Sequence, residues 1–281
     1  MITFTNEELF ALVSDDVPYL DLTTHLQEKN NIKAKLELFT REDLVLSCTE
    51  ESKKIAELYD CVVSHFLPSK TRVKKGDKIF EIVSSYENIH KIWRSVQLII
   101  EYSSKIATYT NMMKNEIETV NSSCQLLSTR KSFPFAKKLC IKSVLVGGGF
   151  IHRLNLSESI LFFANHRVVY KDDLEFYSNI KTFKEKMPEK KVVVESSTYE
   201  DSKELLNFGV DVLQLDKMSI EDIIKVVELR NKSFANRQII CSGGINLKNA
   251  KIYAKTGIDA IVTSSMYISG MADIKSRVTT V

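Results

Sequence analysis

The sequence predicts an α/β protein in two parts, an N-terminal α+β domain followed by an α/β barrel. Short runs rich in Val, Ile and Leu recur in the second part, each followed by an amphipathic helix. The first hundred residues instead mix alternating strands with helical spacing. A long helical stretch joins the two, and no flexible linker separates them.

In chain order, residues 6–14 and 51–63 carry apolar positions at helical spacing. Residues 34–40 alternate as a strand does, and 43–48 read as a second strand. Gly76-Asp77 supplies a turn into a strand over 78–82. The helical stretch runs from about Tyr86 to Thr119, with Ile92, Val96, Ile99, Ile100 and Ile106 among its apolar positions. Parallel strands are expected around 191–195, 210–216, 238–242 and 259–264, with helices at 199–208, 219–231 and 246–256. Four successive units with evenly spaced strand ends favour a barrel over an open sheet. The boundaries read as 1–110 and 111–270, and the segment 270–281 is free to pack back on the first domain.

Composition narrows the function. The chain has 281 residues, with 39 Lys and Arg against 36 Asp and Glu, so its net charge of +3 gives no electrostatic footprint for nucleic acid. No apolar run is long enough for a membrane span. The first eight residues lack a basic region followed by an apolar core, so no signal peptide is expected. Five scattered cysteines without a CxxC pair point to reduced thiols and a cytoplasmic location.

Polar residues gather where a barrel keeps its chemistry. Glu195, Asp216, Ser242 and Ser264 each directly follow an apolar run, and C-terminal strand ends form a barrel's active face. Gly243-Gly244 sits between a strand and a helix, where backbone N–H groups can hold a phosphate, although a plain βα turn has the same look. Thr129-Arg130-Lys131 and His152-Arg153 follow further runs, the latter after Gly147-Gly148-Gly149. Paired cations there suit an anionic substrate, with Arg offering two parallel hydrogen bonds and Lys a compact charge. His25, His65 and His90 lack metal-ligand spacing and read as surface or capping residues.

These clusters together resemble the quinolinate phosphoribosyltransferase family (nicotinate-nucleotide pyrophosphorylase, decarboxylating). Leu20-Asp21-Leu22-Thr23-Thr24 is similar to its G-D-L-T-T signature, and Arg72-Val73-Lys74-Lys75-Gly76-Asp77 to its V-x-x-G-D turn. Ser128-Thr129-Arg130-Lys131-Ser132-Phe133-Pro134 resembles T-R-K-T-x-P, and residues 147–154 resemble G-G-G-x-x-H-R-L. Leu215-Asp216-Lys217-Met218 and Ser242-Gly243-Gly244-Ile245-Asn246 complete a match running from about residue 7 to 270. The closer resemblance is to a branch associated with molybdenum-transport operons. It rests on Phe133, on Leu215-Asp216-Lys217 and on Phe163-Ala164-Asn165-His166.

The resemblance implies an N-terminal α/β sandwich, an incomplete (β/α) barrel, and a homodimer or higher oligomer of dimers. In such a dimer the barrel of one subunit meets the N-terminal domain of the other. It implies that Arg94 reaches the acid substrate across the dimer, and that Arg130, His152 and Arg153 surround the substrate carboxylates. Lys131 would lie between the acid and phosphoribosyl pyrophosphate. Glu195 and Asp216 would face the ribose and its Mg²⁺, and Ser242, Gly243 and Ser264 the 5′-phosphate.

Four positions depart from the family pattern. Phe163 stands where quinolinate enzymes carry Lys, Ile240 where they carry Glu, Phe135 where a glycine follows proline, and Ser264 where a glycine stands. A pocket with Phe163 suits the second carboxylate of quinolinate poorly, because losing a charged partner costs about 2–5 kcal/mol. The implied function is a Mg²⁺-dependent phosphoribosyl transfer to an aromatic or heterocyclic acid other than quinolinate. Two alternatives stay open: an authentic quinolinate enzyme with a divergent pocket, and a non-catalytic ligand-binding accessory of molybdate uptake.

Overall fold

A computed structural model describes residues 2–29 and 32–281; Met1, the first of the opening octet read above, lies outside them. The chain divides into two compact units. The first comprises Met1–Asn111, Ser132–Gly148 and Met266–Val281, and the second Met112–Lys131 and Gly149–Ser265. The first unit is therefore discontinuous: 132–148 leaves the stretch read from sequence as barrel, and the last sixteen residues return with it. No helix among the described residues is long and apolar enough to cross a membrane.

The first unit is built on strands β1 (Lys33–Thr40), β2 (Leu44–Val45), β3 (Val62–Phe66), β4 (Arg72–Val73) and β5 (Lys78–Ser85). β1 lies between β5 and the C-terminal strand Ile274–Thr280, and β5 also pairs β3, all antiparallel. Leu36, Leu38, Phe80 and Ile82 on this sheet, with Ile89, Ile92, Val96 and Ile100 on the helix Tyr86–Glu118, form one buried cluster. The helix expected over 51–63 ends sooner, at Leu58, and 62–66 is strand. Asp60 takes a left-handed φ of 55°, which stops the helix, and the β-branched Val62-Val63 then favours the pleated sheet. The strand expected over 43–48 shrinks to β2. Beyond it, Ser47 N donates to Ser104 Oγ and Cys48 turns left-handed at φ 58°, leaving the ladder.

Gly147 is explained by space. It ends the helix Lys137–Val146 with an ordinary φ of −71°, but a Cβ there would lie 2.4 Å from the Ala107 carbonyl oxygen. The same helix carries Lys142 into the interior, where its Nζ meets Glu51 at 2.5 and 2.7 Å. Both side chains are almost wholly buried.

The second unit is a parallel sheet of β6 (Gln125–Ser128), β7 (Phe150–Ile151), β8 (Ile160–Phe162), β9 (Val192–Ser196), β10 (Val212–Asp216), β11 (Gln238–Ser242) and β12 (Ala260–Thr263). Its order is β7-β6-β12-β11-β10-β9-β8, and β7 does not pair with β8, so the barrel is incomplete. Thr198 and Ser219 cap the helices Tyr199–Asn207 and Ile220–Ser233, so the polar residues after strand ends also start helices. The helix expected over 246–256 is regular only at Ala250–Ala254. Asn246 and Asn249 hydrogen-bond loop backbone instead, at Asn246 N and the Gly244 carbonyl. Sequence patterning also passed over the short strands β7 and β8, which have too few residues to show a period.

Removing one partner of a buried ion pair leaves a stranded charge and costs about 3–5 kcal/mol. Lys142 also reaches Glu50 at 3.3 Å, so Glu51→Ala is expected to destabilise the protein by the lower end of that range or less in urea denaturation. Exchanging both partners together, as Glu51→Leu with Lys142→Met, is expected to recover most of the loss.

Candidate active site

Strand period fixes which side chains meet. Register pairs Leu161 with Val193, Val193 with Val212, Gln214 with Glu195 and with Ile240, Ile240 with Ala260, and Ser242 with Val262. All therefore share one face of the sheet. Leu161, Val193, Val212, Ile240, Ala260 and Val262 form a buried apolar floor, with Leu127 and Phe163 packed against it. On the opposite face Phe162 packs on Phe183 and Phe176 of the helix Asp173–Lys186, at ring distances of 4.7 and 5.3 Å. Above the floor, the C-terminal strand ends and the loops after them enclose a cleft of about 460 Å³.

One side of the cleft is acidic and tightly bonded. Gln214 Nε2 donates to Glu195 Oε2 at 3.2 Å and to Ser242 Oγ at 3.1 Å. The Ser242 hydroxyl in turn donates to Asp216 Oδ1 at 2.8 Å. Burial, and then the nearby Asp216 charge, push the Glu195 carboxyl above its ordinary value of 4.5; the Gln214 hydrogen bond and Lys131 and Lys217 pull the other way. Lys217 turns left-handed, at φ 53°, and its N–H donates to the Ser242 carbonyl. That brings it against Gly243, where a Cβ would lie 2.4 Å from Lys217 Cγ and 2.7 Å from Asp216 Oδ1. With φ at 89°, Gly243 is required by both backbone and space.

The other side is basic and aromatic. Arg153 is only 6% exposed, and among the described residues no acidic side chain pairs with it. Its guanidinium lies 5.8 Å from the Phe163 ring centroid. Burial, with Arg130 nearby, works against its charge. Buried cations are normally paired, so an unpaired one lining a cleft marks a place for an anion. Burial and the Arg153 charge push His152 down to about 4, so at neutral pH it is a neutral ring rather than a third cation. Phe163 stacks on His166 at 5.6 Å, and its N–H donates to His166 Nδ1.

Ten of the residues singled out from sequence line this one cleft: Arg130, Lys131, His152, Arg153, Phe163, Glu195, Asp216, Ser242, Gly243 and Ser264. Arg94 does not. It lies on the long helix of the first unit, 5.2 Å from the Trp93 ring. Ile240 sits in the apolar floor. Sequence reasoning passed over Gln214, whose signal was a lone amide inside an apolar run, two residues before Asp216. It also gave no site role to Thr263, or to Asn165 of the Phe163-Ala164-Asn165-His166 stretch, and both line the cleft. His65 bonds the Lys78 carbonyl and His90 packs between Tyr86 and Trp93; among the described residues no group of three or more His, Cys, Asp or Glu could hold a metal.

Comparison with known proteins places this geometry. The family model for the quinolinate phosphoribosyl transferase N-terminal domain matches residues 21–104, and that for its C-terminal domain matches residues 106–275. The chain belongs to the quinolinate phosphoribosyltransferase family. It is 30% identical over 98% of its length, and 98% of the relative's, to a Pasteurella multocida protein named "Putative pyrophosphorylase ModD". It is 24% identical, over 89% of this chain and 90% of the other, to a Methanothermobacter thermautotrophicus protein named "Probable nicotinate-nucleotide pyrophosphorylase". The crystal structure of NadC from Streptococcus pyogenes superposes with a TM-score of 0.88 at 25% identity, covering all of both chains. The chain is thus a phosphoribosyltransferase, and its incomplete barrel is that of the family.

Two outcomes follow for a phosphoribosyltransferase so built. Gly243→Ala must move Lys217 or the loop, and it is expected to weaken ribose 5-phosphate binding at least about tenfold, since even one charge-assisted hydrogen bond is worth that, measured by calorimetry. Glu195 is a carboxyl whose folded-state pKa is raised. Its contribution to stability is full below its unfolded value, near 4.5, and is lost as pH rises through the higher folded value. Glu195→Gln, which lacks this ionisation, is therefore expected to melt higher than the parent protein at pH 7. The gap should close as pH falls below about 4.5 in a pH series of melting scans.

Proposed function

We propose that this chain, similar to relatives named putative pyrophosphorylase ModD, transfers phosphoribosyl from phosphoribosyl pyrophosphate to an aromatic or heterocyclic acid other than quinolinate. One observation carries the reading: a single cleft sets a hydrogen-bonded carboxylate pair against a buried, acid-free arginine beside an aromatic ring. The first arrangement suits a developing ribosyl cation, and the second suits a flat acid.

Breaking the bond from ribose C1 to pyrophosphate leaves positive charge on the sugar and negative charge on the leaving group. Glu195 and Asp216 present carboxylate oxygens toward the first, much as carboxylates do in glycoside hydrolysis. Each has one oxygen held by a donor, Gln214 or Ser242, so no reorganisation is needed as charge develops. Gly243 and Gly244 let loop backbone approach the 5′-phosphate closely, the Ser264 hydroxyl lies in the neighbouring loop, and Ser242, its hydrogen committed to Asp216, fixes where the first loop starts. Lys131 offers a cation for the leaving group, and Arg153 with Arg130 holds the acceptor carboxylate flat beside Phe163.

Mg²⁺ fits the donors present. Two carboxylates without His or Cys are a hard oxygen site, and Mg²⁺ completes its shell with water and substrate phosphate. Burial and the Asp216 charge raise Glu195, and a bound cation would offset both. Glu195 and Asp216 would hold the ion, which when bound would offset the charge of the departing pyrophosphate.

The proposal includes a homodimer, or a higher oligomer of dimers, in which Arg94 of the partner subunit completes the acid site. It includes a cytoplasmic location, supported by five buried, unpaired cysteines. Two arginines on one side of the cleft also favour, as a second reading, quinolinate itself with its two carboxylates.

Pyrophosphate release from phosphoribosyl pyrophosphate and Mg²⁺, screened against quinolinate, nicotinate and other ring acids, tests the reading. Release with a ring acid other than quinolinate is expected, reduced about a hundredfold or more in Glu195→Ala. Robust release with quinolinate would favour the second reading, and absence of both release and phosphoribosyl pyrophosphate binding would overturn the proposal. Phe163→Lys adds a cation beside Arg153, and it is expected to raise the use of dicarboxylates about tenfold over monocarboxylates.

A further inference from the structure

We infer that Gln214 is a positioning residue that ties the ribose carboxylate to the phosphate loop, so that Glu195 and Ser242 are held as one unit. The inference rests on the phosphoribosyl-transfer reading of this cleft and deepens it. Its evidence is the geometry of one side chain.

Gln214 is 4% exposed and stands on the inward face of β10, beside Glu195 of β9 and Ile240 of β11. An amide nitrogen has two hydrogens. Here both are used, one on Glu195 Oε2 and one on Ser242 Oγ. The direction of each bond is forced. A carboxylate oxygen accepts, and Ser242 has committed its only hydrogen to Asp216 Oδ1, so it must accept from Gln214. The result is an ordered chain from Glu195 through Gln214 and Ser242 to Asp216, spanning three adjacent strands. No other residue touches both Glu195 and Ser242 by a hydrogen bond in the described residues. A ligand that engages the Ser242 loop therefore acts on Glu195 through the amide.

The other end of the amide tells against a purely structural role. Gln214 Oε1 is buried and lacks a hydrogen-bond partner among the described residues. An orphaned buried carbonyl is destabilising, and an apolar residue of the same shape would remove it. A side chain kept only for packing would gain from that exchange. One kept for its two donors would lose function by it.

Gln214→Met, similar in shape and without donors, separates the two. The expected result is a melting temperature equal to or above that of the parent protein. With it, kcat for pyrophosphate release falls about tenfold or more, because two donors to the carboxylate and the hydroxyl are lost. Gln214→Glu, which turns the donor into an acceptor facing Glu195, is expected to be worse than Met in kcat. Ribose 5-phosphate binding by calorimetry gives a readout independent of turnover: Gln214→Met and Ser242→Ala should each weaken it, and their combination should be no weaker than the worse single variant. A Met variant with kcat within twofold of the parent, or additive losses in the double variant, would overturn the inference. Should the parent neither release pyrophosphate with any acceptor nor bind phosphoribosyl pyrophosphate, the transfer reading fails, and the calorimetric cycle still decides the coupling. A Met variant that melts well below the parent would show Gln214 to be structural, and would also overturn it.

Discussion

A parallel sheet covered on both faces leaves little room for polar atoms, and this constraint governs the second unit. Its strands stay apolar through their length and turn polar only as they emerge. Val193, Val212, Ile240 and Ala260 fill the interior. Glu195, Asp216 and Ser242 appear one or two steps later on the same face, where a ligand or water can reach them. Gln214 stands level with Glu195 and one step below Asp216, and both hydrogens of its amide are used on these neighbours.

The cleft divides its charge by position. On one side burial, and then the Asp216 charge, raise Glu195, which lowers stability at neutral pH. On the other a buried guanidinium lacks an acidic partner and suppresses the charge on His152. Both are unfavourable arrangements in an empty cleft. Under the proposed transfer, the ribosyl cation of the transition state would relieve the first and the acceptor carboxylate the second.

Much of this was legible in the sequence because strand ends in a barrel announce themselves: an apolar run, then Glu195, Asp216, Ser242 or Ser264. The motif order extended that to Arg130, His152 and Arg153. What escaped has physical reasons. Gln214 sits inside an apolar run, where a lone amide looks like an interruption. The neutrality of His152 depends on burial and on the charge beside it, which a one-dimensional reading places next to each other without showing which prevails. The helical reading of 51–63 ran on past residue 58 because the turn at Asp60 rests on a left-handed aspartate with no glycine to mark it. The discontinuity at 132–148 escaped because a helix of ten residues has the same pattern whichever unit it joins.

The C-terminal strand has a consequence for the order of synthesis. Residues 274–280 pair with residues 34–40 through the whole length of β1, across the intervening second unit. Synthesis delivers β1 before the barrel strands and residues 274–280 after them. During translation β1 therefore waits, with one edge unpaired, while the barrel strands emerge and find one another. The sheet of the first unit is thus completed only after the barrel strands have been made.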